Sequence, residues 1–566
     1  MKMTNRLSFA GRTGALLIAG LLAHSALCGS AYAEDRAALM EAHRGGTMTL
    51  SAVSAAGTID PMINYTAQFW QVFQLTYDGL LKFKQADRKE GFEIVPDLAE
   101  ALPKPSEDGK TYVFTLRKGI KFSNGRALTA ADVVASFQRI FKVNSPTSGS
   151  FYNNIVGADA CIKDSASCTL EGGIEGDDAA GTVTFHLVEP DSEFFDKLAV
   201  PHATILPADT PAKDAGTEAL PGTGAYVIAS YDPNDKMVIK RNPEFKEWSV
   251  DAQPDGYPDE IVYRFGMTEE ASINAIQNGQ VDWMFDTPPA DRLQELGTKY
   301  ANQVHVNPLA AFWYVPMNTN LAPFDNVKVR QALNYAVDRD ALVGLFGGDV
   351  LAQPVCQILP PDFPGHVDNC LYTEDPGPEW SAPDMEKAKA LVEESGTAGQ
   401  KVTVIAEDNA TSRAIGTYIQ SVLGDLGYDA SVKAISPNIQ FTYIQNTDNK
   451  VQLSVSQWYM DYPAASNFLN VLLSCASFTP GSDASINIAG YCNNDLDVKM
   501  KAAMAQSITD PDGANAEWAK IDTAFMEQAP LAPLFTPKNV DFTSSRVGNF
   551  IFSNQFRWVI SQSWVK

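Results

Sequence analysis

Stretches that alternate apolar and polar residues take turns along this chain with stretches that repeat at helical spacing. Thr47 to Ser54 (TMTLSAVS) alternates as a strand does, and so does Thr111 to Arg117, with Tyr112, Phe114 and Leu116 on one face. Asn124-Gly125 marks a turn, and Thr129-Ala-Ala-Asp132 has the form of a capping box, in which hydroxyl and carboxylate satisfy the first free amides of a helix. The helix so opened carries Val133, Val134, Phe137, Ile140 and Phe141 on one side. The spacing predicts a second helix over about 327–345, capped by Asp325, and a third that opens at Ser381 with Asp384 and stops at Gly396. Lys401 to Ala406, a helix bearing Ile415, Ile419 and Val422, and Tyr428 to Ala434 make a β-α-β unit. Strands alternating with helices define the fold class as α/β with crossover connections. Proline- and glycine-rich segments at 207–224 and 360–377 are loops, and there is no internal repeat.

Length and charge narrow this picture. A chain of 566 residues exceeds one ordinary core, which predicts two or three domains. Lys and Arg number 43 against 68 Asp and Glu, a net charge of −25, so nucleic acid and anionic membrane are excluded as main partners because both need a basic footprint. With 29 Phe, 19 Tyr and 9 Trp the chain has ample material for packed cores. Lys2, Arg6 and Arg12, then the apolar run Gly14 to Ala23, then Ala31-Tyr32-Ala33 read as a signal peptide over 1–33, cleaved before Glu34. The run is about half a membrane span. Cys28 invites a lipoprotein reading, but Leu27 stands where that processing wants a small residue, so ordinary secretion is the preferred reading. Cleavage removes three positive charges and no acid, which takes −25 to −28.

Cysteine usage fits an oxidising compartment. Beyond Cys28 the six cysteines fall into the couples Cys161 and Cys168, Cys356 and Cys370, and Cys475 and Cys492. Fifteen connectivities are open to six cysteines, and the sequence-local one is favoured. A closed loop of about 15 residues is worth roughly 3 kcal/mol in the chain-entropy account. The mature chain has neither a CxxC nor an HxxxH pair, and His43, His186, His202, His305 and His366 are isolated, so no metal site is expected. No phosphate loop, nucleophile elbow, HExxH or SxxK occurs, and Gly222-Thr-Gly224 is only a turn. Asp251 to Gly256 faintly suggests a calcium loop, but Val262 stands where a bidentate Glu is required. The 68 acids leave a glycosidase pair formally open, while a solvated surface accounts for nearly all of them. The chain is therefore expected not to be an enzyme and to need no cofactor.

One long segment carries a resemblance. Ala99 to Val133 (AEALPKPSEDGKTYVFTLRKGIKFSNGRALTAADV) resembles the signature of extracellular solute-binding proteins of family 5, the peptide/nickel type. The likeness continues through Pro221-GTGAYVI, Lys240-Arg-Asn-Pro243, Asn278-Gly-Gln-Val-Asp282, Pro323-Phe-Asp325, Val329 to Arg339, and Trp458-Tyr-Met-Asp461-Tyr-Pro463. The family comprises periplasmic receptors of ATP-driven (ABC) importers for dipeptides, oligopeptides, nickel complexes and some sugars. The resemblance implies a two-lobed periplasmic-binding-protein fold of type II, cluster C, with an inserted domain and a hinged cleft. Mapped here, lobe I is 34–75, 205–308 and 537–566, the inserted domain II is 76–204, and lobe III is 309–536. Crossings near Pro308 to Trp313 and Pro533 to Pro537 serve as hinges, and the receptor works as a monomer that hands its solute to permease subunits in the inner membrane.

The same resemblance points to a site. In QWYMDYPAASNF the family's Asp, three residues after a Trp, holds the α-ammonium of a bound peptide, which assigns that role to Asp461. A carboxylate among Trp458, Tyr459 and Tyr462 is costly to bury alone and becomes tolerable when a ligand brings an ammonium. Trp458 and Tyr459 supply main-chain pairing or an apolar wall, with Tyr65 and Trp313 as secondary candidates; the plainer reading of these aromatics is core packing. After Asp461 the family often has a second acid, where this chain has Ala464 and Ala465. No arginine can be assigned to a ligand's carboxylate. Peptides or similar amino-bearing solutes lead; a sugar, opine or nickel chelate is the runner-up, and a secreted hydrolase is the remoter alternative.

Overall fold

The computed structural model describes residues 36–566 except 483 and 484, so the signal peptide, its cleavage site and Cys28 lie outside the described residues. The capping box forms: the Asp132 carboxylate accepts from the Thr129 amide at 2.9 Å, and the helix Ala130–Lys142 buries Val133, Phe137, Ile140 and Phe141. Its strand, Thr111–Thr115, turns Tyr112 and Phe114 inward and pairs with Thr182–His186, which also pairs with Ile174–Asp177.

Thr47–Ala52 lies inside a five-stranded sheet, parallel to Trp283–Met284 on one side and Glu260–Phe265 on the other, with Lys236–Arg241 and Tyr226–Tyr231 beyond. The predicted β-α-β unit is present as Lys401–Glu407, Ala410–Asp425 and Asp429–Ile435, the two strands running parallel with Lys401 opposite Asp429. A further sheet runs Val304–Pro308, Leu531–Phe542, Ala311–Pro316, Ser456–Tyr459. In it the long strand Leu531–Phe542 pairs through residues 538–542 with Val304–Pro308 and through 531–535 with Ala311–Pro316.

The single helix expected over 327–345 is two helices, Val327–Ala336 and Arg339–Phe346. Apolar periodicity runs through the break. Asp338, however, is drawn into capping, its side chain accepting from the Ala341 amide at 3.0 Å, and this starts a second helix. The first helix is capped by Asn326, not Asp325. The turn also buries Arg339, whose Nε donates to the carbonyls of Val355 and Pro533.

Packed apolar side chains form two large clusters. One runs from Met48 to Trp283 and takes in Tyr462 and residues near the C-terminus; the other runs from Phe312 to Phe535. The chain passes from one to the other through 304–316 and returns through Leu531–Phe542, which makes the molecule two-lobed. All three local cysteine couples are bonded: Cys161–Cys168, Cys356–Cys370 and Cys475–Cys492. Among the described residues no helix is long and apolar enough to cross a membrane, and no group of three His, Cys, Asp or Glu is placed to hold a metal.

Candidate functional site

A cavity of about 410 Å³ opens where residues from both large clusters meet. Tyr65, Trp70 and Gln71 line it from one side, Tyr459 and Asp461 from another, and Arg557 from the C-terminal stretch. The Asp461 loop follows directly on the strand Ser456–Tyr459, which pairs with Ala311–Pro316 so that Tyr459 stands opposite Ala311.

Asn467 sets the geometry of that loop. Its Oδ1 accepts from the Asp461 amide at 2.9 Å, and its Nδ2 donates to Asp461 Oδ2 at 2.9 Å. Its carbonyl accepts from Trp458 Nε1 at 2.9 Å. Across the cavity the Tyr65 hydroxyl donates to Asp461 Oδ1, and Gln555 Nε2 donates to the Asp461 carbonyl at 3.0 Å. Among the described residues the Asp461 carboxylate has neutral donors only, with no Lys, Arg or His beside it. Burial pushes its pKa up, and the hydrogen bonds from Asn467 and Tyr65 offset that only in part. Burial and the Asp461 charge push the Tyr65 phenol up as well, so it stays a donor.

Tyr65 is backed by His202, ring centroids 5.1 Å apart. His202 is fully buried between Thr147 Oγ1 at 2.9 Å and the Asn64 carbonyl at 3.0 Å. Burial lowers its pKa to about 4, so it is a neutral prop for Tyr65. On the other side of the loop, the Tyr462 hydroxyl donates to Glu193 Oε2 at 2.8 Å, and Ser466 donates to the same carboxylate. The segment 461–467 is thus held from the 65 region, the 193 region and the C-terminal stretch at once.

Of the residues named from sequence, Asp461, Tyr65 and Tyr459 come together in the cavity, whereas Trp458 and Trp313 are not part of its lining. Neighbouring residues on a strand face opposite ways. With Tyr459 toward the cavity, Trp458 turns back onto the apolar cluster of 312–535. Trp313 is buried against Phe346 and Phe535, at ring distances of 5.5 and 5.6 Å. Sequence reasoning missed Asn467, Gln71, Gln555 and Arg557. The signal for Arg557 was a lone cation in the aromatic stretch Phe556-Arg557-Trp558, and the others carried none.

A two-lobed α/β chain with an acid-bearing cavity at the junction of its lobes has the make-up of a solute-binding protein. Residues 93–480 match the profile described as bacterial extracellular solute-binding proteins, family 5, middle. The chain belongs to that family. It is 30% identical to the dipeptide-binding protein of Escherichia coli (strain K12), over 80% of this chain and 82% of that one. It is 27% identical to the periplasmic oligopeptide-binding protein OppA of the same organism, over 80% and 81%. Among solved structures, the clavulanic acid biosynthesis oligopeptide binding protein 2 superposes with a TM-score of 0.83 at 22% identity, over 92% of this chain and 96% of that one. The periplasmic binding protein DppA from Helicobacter pylori in complex with peptide STSA superposes with a TM-score of 0.71 at 21% identity, over 92% and 98%. The relatives are named as binding proteins, and the solved neighbours share the fold.

Proposed function

We propose that this chain is the periplasmic substrate-binding component of an ABC importer, taking peptides or similar amino-bearing solutes into the cavity and delivering them to permease subunits in the inner membrane. The observation that carries the reading is Asp461, a carboxylate in the cavity wall served, among the described residues, by neutral donors alone. Such a group completes its interactions when a ligand brings an ammonium, and a charge-assisted hydrogen bond of about 1.5–3 kcal/mol corresponds to roughly 10- to 150-fold in affinity. The names of the relatives, oligopeptide- and dipeptide-binding proteins, support the same ligand class and the same compartment. The division inferred from sequence, with lobe I as 34–75, 205–308 and 537–566, domain II as 76–204 and lobe III as 309–536, places Tyr65 and Arg557 in one lobe and Asp461 in the other. Closure then brings Asp461 to its partners.

Mass spectrometry of solute released by denaturing the purified protein, with peptide titration calorimetry, tests the proposal. Peptides in the released fraction and a tenfold or greater affinity loss in Asp461→Asn are expected. A sugar or a metal chelate in that fraction, or peptide affinity unchanged by the substitution, would overturn it.

A further inference from the structure

Glu193 is a buried acid that takes no part in the cavity wall. It stands at the N-cap of the short helix Phe194–Ala199, yet its side chain makes no capping bond there. Both carboxylate oxygens turn instead to the loop that carries Asp461. Oε2 accepts from the Tyr462 hydroxyl at 2.8 Å, and Oε1 accepts from the Ser466 hydroxyl. From its own side the carboxylate has Lys197 Nζ at 3.6 Å, and that ammonium lies closer to Asp191, at 2.7 Å. Tyr462 and Ser466 are buried as well, and neither lines the cavity.

The two ends of this contact belong to different lobes. Phe194 and Leu198, beside Glu193, lie in the first apolar cluster, together with Met48, Leu50 and Phe69. Buried polar bonds tie the same parts together: Arg139 Nη1 donates to Asp60 Oδ1 at 3.0 Å, and Asp78 accepts from Thr223 at 2.7 Å and from Gln253 at 2.8 Å. The segment carrying Glu193 is thus fixed to the sheet of Thr47–Ala52. Ser466, in contrast, opens the helix Ser466–Leu473, whose Phe468 and Leu469 lie in the second cluster. Aromatic contacts run beside the hydrogen bonds. Tyr462 meets Phe151 at a ring distance of 5.5 Å, and Phe363 meets both Phe92, at 6.2 Å, and Phe468, at 4.9 Å. The Glu193 carboxylate therefore spends its two hydroxyl bonds across the lobe boundary, outside the space open to a solute. Hydrogen bonds to an ionised acceptor are stronger than neutral ones, and these two last only while the lobes stay together.

We infer that Glu193 is a positioning residue for solute binding: it latches the Asp461 loop to the segment 76–204 and favours the closed cleft without touching the solute. The latch acts whichever solute fills the cavity, so it stands apart from the choice of ligand. A receptor that holds its solute in the closed state has an affinity scaled by the population of that state. Loss of the latch therefore weakens every solute by a common factor, whereas loss of a recognition residue weakens only the solutes that use it.

The test uses the full mature chain with a donor and an acceptor fluorophore placed across the cleft, freed of solute by unfolding and refolding, then titrated with a panel of di- and tripeptides. In Glu193→Ala the ratio of closed to open molecules in the solute-free protein should fall by about fivefold or more. Each peptide that binds should lose affinity by one common factor, so that the ratios between peptides stay within roughly twofold of the wild type. Tyr462→Phe with Ser466→Ala should reproduce the loss from the other lobe, and adding Glu193→Ala to that pair should change it by no more than about twofold. An unchanged closed-to-open ratio overturns the latch, as do losses that differ from peptide to peptide, or losses from the two lobes that add in full. The solute-free measurement involves no peptide. A fall in the ratio with no peptide bound would sink the peptide reading and leave the latch standing, whereas an unchanged ratio with peptides bound would do the reverse. Should Glu193→Ala not fold, the Tyr462→Phe and Ser466→Ala pair decides by the same ratio.

Discussion

Two aspartates, Asp461 in the cavity wall and Asp541 behind Arg557 and Asn539, are treated in opposite ways. Asp541 is fully buried and saturated: Arg557, Trp283 and Asn539 supply a cation and two neutral donors, all from within the protein. Asp461 is half-buried, and among the described residues its carboxylate meets only the hydroxyl of Tyr65 and the side-chain amide of Asn467. A buried acid with its counter-ion built in belongs to the architecture, and its removal leaves a stranded charge. On the proposed reading, an acid without one is paired by the ligand. The local hydrogen-bond inventory separates the two where acidity alone does not.

The largest expected effect follows from breaking the saturated side. Asp541→Asn leaves Arg557 without its carboxylate and should cost about 3–5 kcal/mol of stability, read from the midpoint of urea unfolding at constant m-value. Asp461→Asn should leave that midpoint in place or raise it, while peptide affinity falls by roughly 10- to 150-fold in calorimetry. The two variants thus exchange phenotypes, and a stability loss in Asp461→Asn as large as that in Asp541→Asn would erase the distinction.

Acidity sharpens the contrast. Because burial raises the Asp461 pKa in the folded, ligand-free protein, the stability it contributes is present below the ordinary carboxylate value and is lost as pH rises through its folded value. Asp461→Asn should therefore gain stability relative to wild type on going from acid to neutral pH, measured by unfolding across a pH series. An ammonium needs the ionised form, so wild-type affinity should be full at neutral pH and fall on acidification at a pH above the ordinary carboxylate range. A flat profile would break this account.

Asn467→Ala removes the brace of the Asp461 loop without touching the charge. A loss of about 1–2 kcal/mol in binding, some five- to thirtyfold, is expected in the same titration. The smallest effect belongs to Tyr65→Phe. The phenol donates to the ionised carboxylate and lowers its pKa, so its loss should move the acid limb of the affinity profile by less than one unit, toward higher pH.

Much of this was legible in the chain. The alternation of Thr111 to Arg117, the capping box at Thr129 and the β-α-β unit after Lys401 are local encodings, and each element formed where its pattern stood. The break at Val337 escaped because apolar spacing continues through it, while the deciding event is a side-chain cap. Asp461, which lines the cavity, was singled out because its motif is contiguous. Arg557, another lining residue, was not, since its placement depends on Asp541, Trp283 and Phe285, brought to it from elsewhere in the chain. Trp458 and Trp313 were candidates for their residue type, but strand alternation and core packing decide which aromatic ring reaches a cavity.

The strand Leu531–Phe542 has a mechanical consequence. It pairs with the other crossing on both sides of residues 536 and 537, and the Leu309 amide donates to the Pro537 carbonyl at 3.0 Å. The two crossings therefore form a laced ribbon rather than two independent tethers. A laced ribbon resists shear between its strands, so the two crossings are expected to move together rather than independently. A pair of fluorophores placed across the cleft would then report that joint movement.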